Sequence, residues 1–149
     1  MKKGFTIIEI LFAISILSLI LTALLLRTFG IIDYAKERAT RSEMEQLRKA
    51  IVGDQSIVSE SKYLSKGYLG DVGSLPDNLS DLVTKPATIP DWDKFTEKGW
   101  NGPYIQNYDY DKDAWGNNYI YDRDEARIIS KGKDGILGTS DDIVVYLLK

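Results

Sequence analysis

The sequence predicts an α+β fold in which one long N-terminal α-helix packs on a small C-terminal antiparallel β-sheet. Two observations carry this expectation. Between residues 31 and 52 no proline or glycine intervenes, and Ile32, Ala35, Ala39, Leu47, Ala50 and Ile51 recur at three- and four-residue steps, the period of a helix with one apolar face. Near the carboxyl end, residues 118–121, 126–130 and 143–147 alternate apolar and polar side chains, as half-buried strands do. The 149 residues suffice for one domain with a sizeable core, and no internal repeat or low-complexity tract divides them.

The helix begins in a different chemical world from the one it ends in. Residues 10–26 read ILFAISILSLILTALLL, seventeen positions without a charge, softened only by Ser15, Ser18 and Thr22. Extended back to Phe5 the stretch has 22 residues, long enough at about 1.5 Å per residue to span a bilayer core. Lys2 and Lys3 precede it and place the amino terminus in the cytoplasm. A secretory signal peptide would end in a small-residue cleavage site. The far side here reads Ala23-Leu24-Leu25-Leu26-Arg27, and Ala13-Ile14-Ser15 falls inside the apolar run. Glu9 is the other anomaly. A carboxylate at that depth costs at least about 2.5 kcal/mol and asks for a partner.

After Arg27 the helix turns amphipathic, with Glu37, Arg38, Arg41, Glu45, Arg48 and Lys49 off the apolar face, and Gly53 is its first plausible stop. A helix over residues 5–52 would be roughly 70 Å long, more than a domain of this size buries. Its first half therefore belongs to lipid or to partner helices. Gly30 is the nearest helix-weakening residue in that half. From residue 54 a helix continuation or short helix is expected to about Leu64. A loop follows through Lys66-Gly67, Leu69-Gly70 and Val72-Gly73, then a short helix near residues 78–83, then a loop bounded by Pro86 and Pro90. Nine of the sixteen aromatic residues lie between Trp92 and Tyr121, which suits aromatics covering a small sheet better than a carbohydrate-binding face.

Composition narrows the chemistry. The chain has no cysteine and no histidine, which removes disulfides, thiol nucleophiles, Ser-His-Asp arrangements and thiolate or imidazole zinc sites. The net charge is −3, and removing Lys2, Lys3 and Glu9 leaves 17 basic and 21 acidic residues, a net charge of −4, in the remainder. That balance argues against a nucleic-acid partner. Carboxylate chemistry and oxygen-ligated metals survive. The acidic pairs Asp111/Asp113 and Asp122/Asp124 leave a membrane-anchored carboxylate-dependent hydrolase open as a remote reading, although both lie in turn-like sequence. The run from Asp109 to Asp113 resembles the start of an EF-hand loop, but Ala114 and Ile120 stand where glycine and glutamate are needed.

One arrangement accounts for both N-terminal oddities. Lys3-Gly4-Phe5-Thr6-Ile7-Ile8-Glu9 resembles the processing site of type IV prepilins and type II secretion pseudopilins. Further on, Leu79 to Pro86 (L-x-x-L-V-x-K-P), Trp100-Asn101-Gly102-Pro103-Tyr104-Ile105, Asp113-Ala114-Trp115-Gly116-Asn117, and Ile129-Ser130-x-Gly132-x-Asp134-Gly135 with Gly138-Thr139 and Asp142-Ile143 resemble the major-pseudopilin family of type II secretion systems. The matched stretches cover about half the chain. Residues 53–76 depart from the family, Ala114 stands in place of its proline, and Leu26 occupies the position of its helix-kinking proline.

The resemblance implies a leader of residues 1–4, a transmembrane and filament-core helix over residues 5–30, and a periplasmic globular domain over residues 31–149. It implies cleavage by a prepilin peptidase after Gly4, N-methylation of the new terminal Phe5, and pairing of Glu9 with the Phe5 amine of a neighbouring subunit. It implies a non-enzymatic structural subunit: single-pass in the bacterial inner membrane with its N-terminus cytoplasmic, then assembled with itself and minor pseudopilins into a periplasmic filament by a platform protein and an ATPase. It also implies one Ca2+ in the closing loop, with the Lys131 carbonyl and the side chains of Asp134, Asp141 and Asp142 as candidate ligands. Turn chemistry of Asp and Gly alone would account for the same loop. A type IV pilin or minor pilin of a surface fibre is the alternative assembly; such proteins usually close their last loop with a disulfide, for which this chain has no cysteine.

Overall fold

The computed structural model describes residues 6–59, 62–106 and 110–148. Its first element, α1 (Ile7–Val52), is one helix of 46 residues and runs through Gly30 without a break. The helix ends where Gly53 takes φ +89° and donates its N–H to the Lys49 carbonyl at 2.8 Å. Only glycine enters that left-handed region without penalty. The chain divides into two units, residues 1–36 and residues 37–149.

Within the second unit, α1 presents Thr40, Met44, Leu47 and Ile51 inward, each no more than 3% exposed. These positions repeat at four- and three-residue steps. The stripe is turned relative to the sequence expectation: Ile32, Ala35 and Ala39 are exposed, while Thr40 and Met44 are buried. Tyr68, Leu79, Leu82, Tyr119, Ile128, Ile143 and Leu147 complete the core against this stripe.

Two expectations for the middle of the chain are corrected, and a third takes a tighter form. The helix does not continue to Leu64; β1 (Asp54–Ser59) and β2 (Lys62–Ser65) form an antiparallel hairpin instead. Gly53 breaks the helix, and the Ile57-Val58 pair that follows prefers a strand. The glycine-rich stretch is not all loop, because α2 (Gly67–Val72) forms there and is closed by Gly73 in the left-handed region. The short helix near Leu79 is present as a single 3-10 turn, Leu79–Leu82, whose Asn78 and Asp81 make a reciprocal capping box.

The C-terminal sheet matches its expectation, with slightly shorter strands. β3 (Ile120–Asp122), β4 (Arg127–Ser130) and β5 (Ile143–Tyr146) are antiparallel in the order β3-β4-β5. Register pairs Ile120 with Ile129 and Ser130 with Ile143. The last of these pairs brackets the closing loop, residues 131–142.

Between the 3-10 turn and the sheet, the aromatic residues close the core. The Trp100 indole N–H donates to the Asp81 carbonyl at 2.9 Å. The Tyr104 ring meets Tyr68 and Trp100 edge-on, at 5.5 and 6.0 Å between centres. The Tyr121 hydroxyl donates to the Pro76 carbonyl at 3.0 Å, and burial pushes its pKa up to about 12.

Candidate functional site

The first candidate site is the start of α1. Thr6 caps the helix: its backbone N–H and hydroxyl donate to Glu9 Oε2 at 2.8 and 2.9 Å, and the Glu9 N–H approaches the Thr6 hydroxyl at 3.4 Å. This is a capping box, a signal carried by Thr6-Ile7-Ile8-Glu9 that the expectation of a partner from outside the chain passed over. Glu9 therefore organises its own helix start within the chain. Gly4 and Phe5, the expected cleavage and methylation residues, lie outside the described residues.

Apart from Glu9 and three hydroxyls, the helix over residues 7–23 is apolar on every side. Ile7 is 80% exposed, Phe12 69% and Leu19 73%. The three hydroxyls of the run turn back on the helix, Ser15 to the Leu11 carbonyl, Ser18 to that of Ile14 and Thr22 to that of Ser18, each at 2.8 Å. Every hydroxyl thus finds its partner inside its own helix, the condition for a polar group in an apolar medium. Among the described residues no helix is long and apolar enough to cross a membrane. Residues 10–23 alone extend about 21 Å, against a hydrocarbon core of about 30 Å.

The second candidate site is the closing loop, which gathers Asp134, Asp141 and Asp142. Asp141 staples the loop across its base. Its Oδ2 accepts the Asp134 N–H at 3.0 Å, and its Oδ1 accepts the Thr139 hydroxyl at 2.7 Å. The Thr139 hydroxyl and these amides hold the Asp141 carboxyl below the usual range. Asp134 Oδ1 accepts the Ile136 N–H at 2.8 Å, and Asp142 Oδ2 accepts the Gly138 N–H at 2.7 Å. Gly132, at φ +63°, brings the two ends together; a Cβ there would meet the Asp141 carbonyl oxygen at 2.4 Å.

Asp142 Oδ1 is the exception, because it is buried and receives no donor. A buried, unpaired carboxylate oxygen is costly, and a cation is the group that would satisfy it. Among the described residues no three acidic side chains converge as a metal cluster by themselves. An ion here would lean on loop carbonyls, such as that of Lys131, as well as on Asp134 and Asp142, a donor set that suits calcium's demand for oxygen in flexible geometry.

A third group of residues ties this loop to the helix, and in the sequence it stands out only as part of the family motif. Asp113 is 5% exposed. Its Oδ1 accepts the N–H groups of Trp115 and Asn117 at 3.0 and 2.9 Å, and its Oδ2 accepts the Ser130 hydroxyl at 2.6 Å. Asn117 donates its side-chain amide to the Gly132 carbonyl at 2.8 Å, at the mouth of the closing loop. The adjacent Ala114 N–H donates to the Thr40 hydroxyl of α1 at 3.1 Å. Asp113 and Asn117 flanking Gly116 form the Asx-type turn that could have signalled this role. Of the pairs considered for hydrolysis, Asp113 is committed to four donors, and Asp122 accepts from Arg127 at 3.0 Å. The run from Asp109 to Asp113, rejected as an EF-hand loop, has Asp109 outside the described residues.

Comparison with known proteins agrees with this arrangement. The sequence pattern of the family described as type II secretion system (T2SS), protein G, matches residues 27–146, and that of the prokaryotic N-terminal methylation motif matches residues 1–25. A relative from Xanthomonas campestris pv. campestris, named type II secretion system core protein G, is 30% identical over 143 residues, 93% of this chain and 84% of its own. Proteins of the same name from Klebsiella michiganensis and Aeromonas hydrophila are 27% and 26% identical, over 95% and 99% of this chain and 91% and 94% of theirs. No solved structure matches the chain. A match over residues 27–146, with a methylation motif ahead of it, fixes the assignment: this chain belongs to the type II secretion system protein G family.

Proposed function

We propose that the chain is a structural subunit of a type II secretion pseudopilus, a fibre that drives protein export and performs no catalysis of its own. The observation that carries this reading is the apolar N-terminal helix, whose large apolar side chains over residues 7–21 are 49–80% exposed. They need lipid before assembly and the helices of other copies after it. Prepilin peptidase cuts after Gly4, and Phe5 becomes the methylated terminus. The whole run over residues 5–26 holds the subunit in the inner membrane, with Lys2 and Lys3 on the cytoplasmic side. A platform protein and an ATPase then draw subunits into a periplasmic filament, together with minor pseudopilins.

Glu9 has a second duty in that filament. Its carboxylate, already turned toward the helix start by Thr6, accepts the Phe5 amine of a neighbouring copy and fixes the axial register of the packed helices. In the closing loop, Asp134 and Asp142 with the Lys131 carbonyl hold calcium, while Asp141 keeps the loop in shape. Calcium there satisfies the Asp142 oxygen and locks the β4–β5 connection.

Two measurements test the reading. Intact mass of the chain purified from membranes should show loss of residues 1–4 and gain of one methyl group; an unprocessed mass refutes the peptidase step. Glu9→Ala should leave the subunit in the membrane and reduce fibres at least tenfold. Normal fibre yield from that variant would end the register argument.

A further inference from the structure

Residues 91–99 leave the core and return to it through the paired positions Asp91–Trp100 and Asp93–Lys98. The tip between them is built rather than slack. Asp93 Oδ1 accepts the Phe95 N–H and Oδ2 accepts the Thr96 hydroxyl, both at 2.9 Å. Lys85 pairs with Asp91 at 2.6 Å, and Lys66 pairs with Glu97. For all this support, Phe95 is 86% exposed, the most exposed large apolar side chain among the described residues. The Lys94 ammonium stands 5.0 Å from the centre of its ring. A rigidly presented aromatic ring in water is the usual form of an interface anchor, because little entropy remains to be lost when it docks.

The same unit holds a recess of about 290 Å³. Tyr104, Tyr110 and Tyr119 wall it with Leu47, and Glu43 and Gln46 of α1 line it too. The Glu43 carboxylate accepts the Tyr119 hydroxyl at 3.1 Å. Aromatic faces around an anionic group suit a cation carried on an apolar ring. Neither Lys94 nor Phe95 lines the recess. Anchor and recess are thus different surfaces of one chain, and a contact between unlike surfaces repeats from copy to copy into an open helical polymer.

We propose that the Lys94–Phe95 tip of one copy seats in the tyrosine-walled recess over Glu43 of another copy in the fibre. The phenyl ring packs against the tyrosines and the ammonium faces Glu43. The proposal rests on the pseudopilus reading and supplies its globular domains with a head-to-tail contact.

The absence of cysteine makes the test clean. Lys98 and Ser42 are exposed, neither lines the recess, and Lys98 keeps its place through its backbone carbonyl, which accepts the Asp93 N–H at 2.9 Å, so Lys98→Cys with Ser42→Cys leaves Phe95, Lys94, Thr96, Gln46 and Glu43 in place. Fibres sheared from cells producing the full-length double variant are treated with a short bismaleimide and run on a denaturing gel. A ladder of dimers, trimers and larger species is expected, and Phe95→Ala in the same background should reduce it at least tenfold. Dimers from Lys98→Cys alone would overturn the proposal, because they place two tips together. A ladder unaffected by Phe95→Ala overturns it as well. Fibres without a ladder sink the contact and leave the pseudopilus reading standing, whereas a ladder from subunits that never form fibres supports the contact and refutes the reading.

Discussion

Asp113 holds more of the molecule together than any other single side chain described. Its carboxylate collects two amides of its own turn and the hydroxyl of Ser130, which is fully buried. Asp113→Ala would strand those donors at about 1–3 kcal/mol each. We expect a loss of about 3 kcal/mol or more in thermal unfolding of the full chain in detergent. Asp113→Asn should lose about half as much, since its carbonyl oxygen still accepts the two amides. A second buried carboxylate acts in the opposite sense. Asp71 is 5% exposed, and burial raises its pKa despite the hydrogen bond from the Tyr104 hydroxyl at 3.1 Å. The folded chain then keeps that proton to a higher pH than the unfolded chain does. Stability contributed by Asp71 falls as pH rises from about 4 through the raised folded value, and stays reduced above it. Asp71→Asn, which can still accept from Tyr104, should therefore be at least as stable as the parent at pH 7. That advantage should vanish below about pH 4, and a pH series of denaturation midpoints for the two chains reads it directly. Neither carboxylate announces its burial in the sequence, because an Asp in a turn-rich stretch reads as solvated until the fold closes over it.

Among the elements, those with a strong period were legible and those defined by a single backbone break were not. The helix stop at Gly53 and the three C-terminal strands follow directly from residue pattern. The β1–β2 hairpin does not, because its strands are short, polar and flanked by serines, and a helix period can be drawn through them equally well. The buried stripe of α1 was misplaced by a fraction of a turn, since Thr40 looks polar until Ala114 supplies its hydrogen bond. The closing loop was legible as a feature, with its aspartates and glycines in family order, while the division of labour within it needed geometry. Asp141 is a staple and Asp142 carries the unpaired oxygen. If calcium fills that need, a free concentration of 100 times its dissociation constant adds about 2.7 kcal/mol. A chelator should then lower the unfolding midpoint of the parent chain by several degrees and leave that of Asp142→Asn unchanged. An equal midpoint with and without chelator would remove calcium from the loop.

At the scale of the whole molecule, the two units solve opposite problems. The first, residues 1–36, displays Ile7, Phe12, Leu17 and Leu19 at 67–80% exposure and, among the described residues, contributes none to the buried core. The second, residues 37–149, contains every core residue from Met44 to Leu147, the whole C-terminal sheet, the Asp113 network and the closing loop. The exposed apolar helix and the buried core thus occupy separate stretches of chain, and the change in polarity after Arg27 marks their division in the sequence itself. A chain cut before Glu37 loses exposed apolar side chains such as Ile7 and Leu19 and keeps every described residue of the buried core. We expect residues 37–149 to be soluble without detergent, to sediment as a monomer at micromolar concentration and to unfold within a few degrees of the full chain. The full chain should in contrast pellet with membranes or aggregate once detergent is removed. A fragment that fails to fold would mean that the first unit supports the core through contacts beyond those of Met44, Leu47 and Ile51. A fragment that folds but still assembles into fibres would move the assembly surface off the apolar helix.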